Sequence, residues 1–344
     1  MQVVLHIGAE KTGTSTLQQW CDTNRIPLRR RGWLYPECLG EPGHARLACY
    51  ATRDRPQIDL LKSEGLFDAA TRGAFRASLP GILAEEIAAS GRTRILVSNE
   101  HLSSRLTEAH EVQAIKSLIE AACREPVEWL VLYYVRRQDE MLVSLYSTAI
   151  KSGDTAPFHL PEGLADPRLN PLLPLELWAG VFGHAAIVVR VFERSALAGG
   201  DVVRDMMALL GIADAADRNV FAPVADSNQR LGAQTLEFLR RINTHISAFD
   251  ASSVNADHRR LVRALELMPD HDSAPLATPE ALARFVERFD AVNAEVARRY
   301  LGRPDGRLFT PVAGGASHAA PPAFNPEKAV AIAAYLWRHA SLRK

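Results

Sequence analysis

The run from Glu128 to Val135 constrains the fold more than any other segment, because every residue after Glu128 is apolar or aromatic. A strand without a polar face is buried on both sides, as in a parallel sheet that is covered by helices. Val3 to Ile7 and Arg94 to Ser98 are shorter, largely apolar runs, and Ala185 to Phe192 is a further predicted strand. The sequence therefore predicts a parallel sheet at the centre of the fold.

Segments with apolar residues at helical spacing separate these strands. They are Thr14 to Asn24, Gly81 to Ala89, Glu111 to Cys123 and Gly200 to Leu210, the last ended by Gly211. This alternation predicts an α/β fold whose parallel sheet is flanked by helices on both faces. The part after Asn228 is predicted to be helical: Gly232 to Ile246, His258 to Met268, Pro279 to Tyr300 and Pro326 to His339.

The length and composition allow one large core, since the chain has 344 residues and 47% of them are hydrophobic. We predict a single α/β domain over 1–310, a linker rich in glycine, alanine and proline over 311–325, and an amphipathic C-terminal helix over 326–344. An arrangement of two domains with a break near Gly153 to Pro174 stays open.

The overall charge gives no indication of a nucleic-acid or membrane-surface partner. Forty basic residues balance forty acidic ones, so nothing points to nucleic acid or to a membrane surface, and any anion site must be local. The opening apolar run is too short and too soon interrupted by charge for a signal peptide, and no run reaches the length of a membrane span. We therefore expect a cytoplasmic protein without stable membrane insertion. The four cysteines are widely spaced, which favours reduced thiols over disulfides or a metal site.

The segment Gly8 to Thr16 joins the first predicted strand to the first predicted helix. Backbone N–H groups and the helix dipole form an anion site at such a junction. Gly8 and Gly13 have the spacing of an ATP or GTP loop, but Thr14 stands where that loop requires lysine, which disfavours nucleoside triphosphate hydrolysis. Lys11 and the hydroxyl residues after Gly13 can hold phosphate or sulfate oxygens without a metal. A glycine turn before an ordinary helix with a threonine N-cap is the structural alternative.

A second polar segment follows the strongest predicted strand. Arg136 and Arg137 stand at its carboxyl end, and Ser144 follows Arg136 by eight residues. Ligands of open α/β sheets bind at this edge, where Gly8 to Thr16 also lies. We therefore expect Arg136 and Ser144 to reach one phosphate. A surface arginine pair beside two acidic residues is the alternative.

Together the two segments resemble the sulfotransferase family that uses 3'-phosphoadenosine-5'-phosphosulfate (PAPS). In that family a Lys-x-Gly-Thr-(Ser/Thr) loop holds the 5'-phosphosulfate, and an arginine and a serine at this spacing hold the 3'-phosphate. Lys11 to Ser15 and Arg136 to Ser144 match this pattern. Weaker similarities are Arg31 to Pro36, Gly43-His44, Val191 to Ile212 and Asp226 to Leu231, the last of them to bacterial carbohydrate-type members. The resemblance spans about residues 2–245 and implies a P-loop-like sulfotransferase fold.

The resemblance also implies roles for individual residues. Donor-binding residues are expected at Glu10, Lys11, Thr12, Gly13, Thr14, Ser15, Thr16, Arg136, Ser144 and Arg230. Lys11 is expected to stabilise charge on the leaving phosphate. Glu100 is the first candidate for the catalytic base and His101 the second, and because neighbouring residues of a strand point to opposite faces, we expect one of them to serve. The structural alternative for Glu100 is a carboxylate that caps a helix or forms a salt bridge.

Three further side chains have two interpretations each. His44 is either a residue of the acceptor cleft or a solvated loop histidine. Trp20 and Trp33 either stack on adenine or belong to the core.

The sequence departs from the family pattern at two places. Many cytosolic sulfotransferases carry proline where this sequence has Gln138, and the sequence lacks their glycine-rich Arg-Lys-Gly segment near the C-terminus.

The expected function is transfer of a sulfuryl group from PAPS to a hydroxyl or amine, with 3'-phosphoadenosine 5'-phosphate (PAP) as product and no metal. By resemblance the acceptor is a carbohydrate or glycolipid, and no nucleic-acid partner is expected. Two alternatives stay open: a P-loop nucleotide kinase or nucleotidase, and a non-catalytic nucleotide-binding module of the same fold. The sequence leaves the acceptor's identity and the oligomeric state open.

Overall fold

The structure is a computed structural model that describes residues 1–52, 58–212, 220–224, 231–249, 255–269, 274–311 and 323–340. Its strands and helices in chain order are β1 (Gln2–Gly8), α1 (Thr14–Thr23), α2 (Arg25–Arg30), β2 (Trp33–Leu34), α3 (Ala45–Ala51), α4 (Ile58–Ser63), α5 (Ala69–Ser90), β3 (Arg94–Ser98), α6 (His101–Arg105), α7 (Ala109–Cys123), β4 (Glu128–Val135), α8 (Gln138–Lys151), α9 (Leu172–Phe182), β5 (Ile187–Val191), α10 (Val202–Leu209), α11 (Ala233–Ile242), α12 (Ala256–Glu266), α13 (Pro279–Glu287), α14 (Asp290–Leu301) and α15 (Pro326–Ala340). Short 3-10 helices lie at His184–Ala186 and Ala198–Gly200.

The chain forms two compact units. The first comprises residues 1–137, 164–225 and 291–310, and the second comprises 138–163, 226–290 and 311–344. This grouping does not decide whether 1–310 folds as one domain, so that prediction stays a prediction. Most of the predicted linker, residues 312–322, lies outside the described part of the chain.

The first unit is built on a five-stranded sheet in the order β2-β3-β1-β4-β5. Each neighbouring pair is parallel, and Val4 of β1 lies in register with Leu96 of β3 and with Leu130 of β4. The α/β class with a parallel sheet flanked by helices is therefore confirmed, as is the helical character of the later part of the chain. The strand ends of β3 and β4 agree with the sequence prediction because their apolar runs end sharply.

Both faces of the sheet are buried. Val3, Val4 and Leu5 alternate between the faces along β1, and each is at most 1% exposed. On the face of Val4, strand residues pack against side chains of α1 and α10 in one cluster, which includes Leu17, Trp20, Leu96, Leu132, Tyr134 and Met206. Burial of this much apolar surface is the main term that stabilises the unit.

Trp20 and Trp33 are core residues. The Trp20 ring stacks on Phe221 with centroids 5.2 Å apart, and Trp33 Nε1 donates to the Leu210 carbonyl at 3.2 Å. Both side chains are buried in the same cluster. The core interpretation is confirmed for both, and neither ring presents a face for adenine.

The second unit is helical in its described residues. Its core joins α8, α11, α12 and α15 through apolar residues at helical spacing, among them Ile150, Leu236, Leu239, Leu265 and Ile332. Ile332 is 1% exposed, so the terminal helix packs into this core as its amphipathic pattern predicts.

The segment predicted as one helix over Pro279 to Tyr300 is two helices, α13 and α14. The break lies at Arg288 and Phe289, just before the chain passes from the second unit to the first between Asp290 and Ala291. Periodicity does not register this change, because both helices have the same repeat. The single-helix prediction is wrong for that reason.

The helix predicted from Gly81 is longer than expected and begins at Ala69. Asp68 caps it by accepting the Thr71 N–H at 2.8 Å, and the helix continues through Pro80. The four cysteines are free thiols. No helix within the described ranges combines the length and the apolar character needed to cross a bilayer.

Candidate functional site

The order of the strands predicts a crevice at the carboxyl end of the sheet. The chain leaves β1 toward β2 at one edge, and it leaves β4 toward β5 at the other edge, although β1 and β4 are neighbours. Connections that depart in opposite directions open a crevice between the two strand ends, which is where open α/β sheets bind ligands. The segment Gly8 to Gly13 follows β1 and Arg136 follows β4, so both border this crevice.

The backbone of the first loop is held in one conformation. Ala9 N–H donates to the Tyr134 carbonyl of β4 at 3.1 Å, and the Thr12 hydroxyl donates to the Ala9 carbonyl at 2.7 Å. Lys11 and Gly13 have positive φ angles of 61° and 76°, which fold the chain back before the helix. The Thr12 hydroxyl proton is used inside the loop. This hydroxyl therefore supports the loop, and its oxygen can only accept a hydrogen bond from a ligand.

Gly13 has a second constraint besides its φ angle. A Cβ at this position would lie 2.9 Å from Cγ1 of Val202 on α10, closer than real contacts allow. The close approach of α10 therefore requires glycine here, in addition to the left-handed backbone.

Helix α1 begins directly after Gly13, which is its N-cap. No side chain caps this end, so the alternative with a threonine N-cap is wrong. The first intrahelical bond runs from Leu17 N–H to the Gly13 carbonyl at 3.0 Å, and the N–H groups of Thr14, Ser15 and Thr16 precede it. N–H groups of a first turn have no intrahelical partner and can bind an anion. Ser15 is exposed and Thr14 is buried.

Arg136 links the end of β4 to the first loop. Its Nη1 donates to the Lys11 carbonyl at 2.6 Å, and its guanidinium lies 5.6 Å from the centroid of the Phe192 ring. The residue is only 8% exposed, so the alternative of a surface arginine pair is wrong for Arg136. The guanidinium places a buried positive charge beside the backbone of Lys11. Its predicted role with a 3'-phosphate stays a prediction.

Two predicted donor-binding residues are not joined to this site by the described geometry. Ser144 lies in α8 and belongs to the second unit, whereas Arg136 belongs to the first. Their predicted convergence on one phosphate stays a prediction. Arg230 lies outside the described residues.

Glu100 and His101 lie at the carboxyl end of β3 but not on the strand. β3 ends at Ser98, Glu100 is the N-cap residue of α6, and His101 is the first residue of that helix. Asn99 Oδ1 accepts the His101 N–H at 3.1 Å, which starts the helix early. The argument that the two side chains point to opposite faces of a strand is therefore wrong.

Glu100 is tied to the helix that follows the first loop. Its Oε2 accepts a hydrogen bond from Gln18 Nε2 of α1 at 2.5 Å. It makes no cap bond to the backbone of α6, so the alternative in which it acts as a helix cap is wrong. A half-buried carboxylate thus lies next to the first turns of α1.

Glu10 and His101 form a second contact across the same edge. His101 Nδ1 lies 4.0 Å from Glu10 Oε1, which is ion-pair range but too long for a direct hydrogen bond. Glu10 comes from the loop after β1 and His101 from the helix after β3. The structure therefore brings His101 to the loop that carries Lys11 and Glu100 to the helix that follows this loop.

His44 has a structural role behind this edge. It is fully buried, its Nε2 lies 2.9 Å from the Pro36 carbonyl, and its Nδ1 accepts the Ser98 N–H at 3.1 Å. Burial lowers the pKa of His44 to about 3, so the ring is neutral. The expectation of a solvated loop histidine is wrong, and the ring instead supports the backbone just before Asn99.

His6 is a second buried neutral histidine. Its Nδ1 lies 2.8 Å from the Ser98 hydroxyl, and burial lowers the pKa of His6 to about 4. Ser98 is therefore held by one imidazole at its hydroxyl and by the other at its backbone.

Sequence reasoning missed two side chains of the site. Gln18 lies four residues after Thr14 and thus on the same face of α1, a spacing that could have identified it. Phe192, which lies under the Arg136 guanidinium, follows β5, and only the order of the strands brings it beside β4. Both residues hold charged groups of the site in place.

Comparisons with known proteins give no activity for the chain. A protein from Archaeoglobus fulgidus, described only as uncharacterized, is 27% identical over 176 residues, which are 50% of this chain and 46% of that protein. The chain thus spans about half the length of this relative. No family model matches the chain, and no solved structure matches it.

Proposed function

We propose that the chain is a PAPS-dependent sulfotransferase that transfers a sulfuryl group to a hydroxyl or amine of a carbohydrate or glycolipid acceptor. One observation carries the proposal. The loop between β1 and α1 borders the crevice at the β1–β4 strand ends, and Arg136 binds the backbone of Lys11, the lysine of that loop. The resemblance to the family supplies the chemistry, and this geometry supports it.

The first loop is suited to an anionic donor. The first-turn N–H groups of α1 and the hydroxyl of Ser15 are donors, and the dipole of the helix favours negative charge at this end. When bound, PAPS supplies an activated sulfuryl group whose transfer leaves PAP. The Arg136 guanidinium holds the backbone of Lys11, and the charge of this lysine is the group that would stabilise the leaving phosphate.

The position of the lysine separates this proposal from a nucleotide kinase. In an ATP or GTP loop the lysine follows the second glycine, and here Thr14 occupies that position. Lys11 precedes Gly13 and lies on the strand side of the turn. At this position the chain therefore lacks the lysine with which a kinase or nucleotidase reaches the β- and γ-phosphates of its nucleotide.

The acceptor side of the proposed site lies at the end of β3. Glu100 and His101 are the candidate bases, and both contact residues of the first loop or of α1. A base within reach of the donor loop is what an in-line displacement requires, because the acceptor must lose a proton as it attacks.

The test is calorimetric titration of the protein with PAP in the absence of magnesium, beside a titration with ATP and magnesium. We expect PAP to bind and Arg136→Ala to weaken binding about tenfold or more, because a hydrogen bond to a charged group contributes about 1.5–3 kcal/mol. Binding of ATP that requires magnesium, with no binding of PAP, would instead favour the kinase alternative.

Arg94→Ala is the matched control. Arg94 also donates to a backbone carbonyl, that of Arg31, and its guanidinium lies 4.9 Å from the centroid of an aromatic ring, that of Trp33. It stands at the amino end of β3, whereas Arg136 follows the carboxyl end of β4. We expect this variant to bind PAP like the wild type. Equal losses in the two variants would show that damage to the fold, and not loss of a ligand contact, explains the effect.

A further inference from the structure

Glu10 is an unexpected residue in a loop that is proposed to bind an anion. A carboxylate repels a phosphosulfate, so the side chain of Glu10 is unsuited to donor binding even where its backbone N–H takes part. Among the described residues, Glu10 Oε1 and His101 Nδ1 are both buried and neither has a hydrogen-bond partner. These two atoms lie 4.0 Å apart.

Two buried polar atoms without partners are costly unless they serve each other. A small rotation of either side chain closes the gap from 4.0 Å to hydrogen-bond length. Glu10 Oε1 can only accept, so the proton of such a bond comes from the Nδ1–H of His101. A neutral ring with its proton on Nδ1 has its lone pair on Nε2.

The His101 side chain is not fully enclosed. It is 30% exposed although its Nδ1 is buried, so the exposure lies on other atoms of the side chain. Glu100 differs from His101, because its Oε2 already accepts a hydrogen bond from Gln18. His101 therefore combines a buried nitrogen next to a carboxylate with a partly exposed side chain.

Other charges surround the pair. Lys11 follows Glu10 in the sequence and Glu100 precedes His101. Arg105 ends the helix that His101 begins. The charge of Glu10 also acts on two residues of other segments. The pKa of Arg168 is raised, first by its hydrogen bonds to Asp166 and further by the charges of Asp166 and Glu10. Burial and then the Glu10 carboxylate raise the pKa of Tyr133 on β4.

We propose that Glu10 is a positioning residue that accepts the Nδ1–H of His101 and so directs His101 Nε2 toward the acceptor as the general base. This inference rests on the proposed function. In the step, the acceptor oxygen forms a bond to the sulfur of PAPS and its proton passes to His101 Nε2. The bond between sulfur and the bridging oxygen breaks, and its electron pair leaves with the phosphate of PAP.

The test uses the full chain labelled with ¹⁵N at its histidines, and it needs no turnover. The ¹⁵N shifts of the ring nitrogens report which nitrogen carries the proton, and the spectrum of His101→Ala assigns the His101 resonances. We expect Nδ1–H in the wild type. Glu10→Leu removes the acceptor and moves the proton to Nε2, whereas Glu10→Gln keeps an acceptor oxygen and keeps Nδ1–H.

The kinetic arm follows transfer from PAPS in the same variants. We expect Glu10→Leu to lower kcat about tenfold or more, within the contribution of a general base, and to change the KM for PAPS much less. Glu10→Gln restores most of kcat. A purely structural role for Glu10 changes thermal unfolding and leaves the tautomer of His101 as it is.

The outcomes separate the two proposals. An Nε2–H ring in the wild type, or the same tautomer in all three proteins, overturns the inference even if transfer from PAPS occurs. If Glu10→Leu does not fold, the tautomer of His101 in the wild type decides, because an Nε2–H ring there overturns the inference. Absence of PAP binding and of transfer would overturn the proposed function, whatever the tautomer of His101.

Discussion

Stability at mildly acidic pH tests the buried neutral histidines most directly. His44 is fully buried, and both ring nitrogens face backbone groups, at Pro36 and Ser98. Burial lowers the pKa of His44 from its ordinary value of 6.5 to about 3 in the folded protein. In the unfolded chain the same ring takes up a proton below about pH 6.5.

The sign and size of the effect follow from this difference. The unfolded state binds more protons than the folded state at acidic pH, so the stability that the neutral ring contributes is complete near pH 7 and is lost as pH falls below 6.5. At pH 5 the loss is about 2 kcal/mol for His44, since each pH unit below the unfolded pKa changes the free energy of unfolding by about 1.36 kcal/mol. His6 adds a similar loss, because burial lowers its pKa to about 4.

The assay is chemical denaturation at pH 7 and pH 5, applied to the wild type and to His44→Gln. A glutamine can keep a donor and an acceptor at this position but does not titrate. We expect the variant to lose about 2 kcal/mol less than the wild type between the two pH values. His110→Gln on the exposed face of α7 is the control and should lose as much as the wild type. An equal pH dependence in His44→Gln and the wild type would refute the argument.

Three further changes test the loop and its neighbours. Lys11→Ala should lower the rate of transfer from PAPS by about 100-fold or more with little change in thermal unfolding, and normal turnover would remove the proposed role of the lysine. Gly13→Ala should lower stability by about 1–3 kcal/mol in denaturant unfolding, because its φ is 76° and its Cβ would meet Val202. Gly180→Ala on α9, where a Cβ meets nothing within 4 Å, should not destabilise, and equal effects of the two would contradict the steric argument. Gln18→Leu should lower kcat less than Glu10→Leu does, because Gln18 bonds Glu100 and the proposed base is His101, and an equal loss in the two variants would assign the base role to Glu100.

Local sequence patterns were sufficient to predict those elements in which one hydrophobic period dominates. The apolar runs of β1, β3 and β4 predicted their strands because a strand that is buried on both faces has no polar position. The loop between β1 and α1 was found from its glycines, since a left-handed turn before a helix favours that residue. The helix boundary near Asp290 was missed because the period continues while the packing partners change.

Tertiary structure decided which distant segments meet. Arg136 became a buried support of Lys11 only because β1 and β4 are neighbours in the sheet, and Glu10 met His101 only because β1 also neighbours β3. His44 was an isolated loop histidine in the sequence, and the fold made it a neutral core residue. Spacing along a chain reports the local repeat of a helix or strand. The order of strands in a sheet is set by the packing of the whole unit. The sequence by itself therefore determined the class of fold and the position of the loop between β1 and α1, and the fold determined which segments that loop contacts.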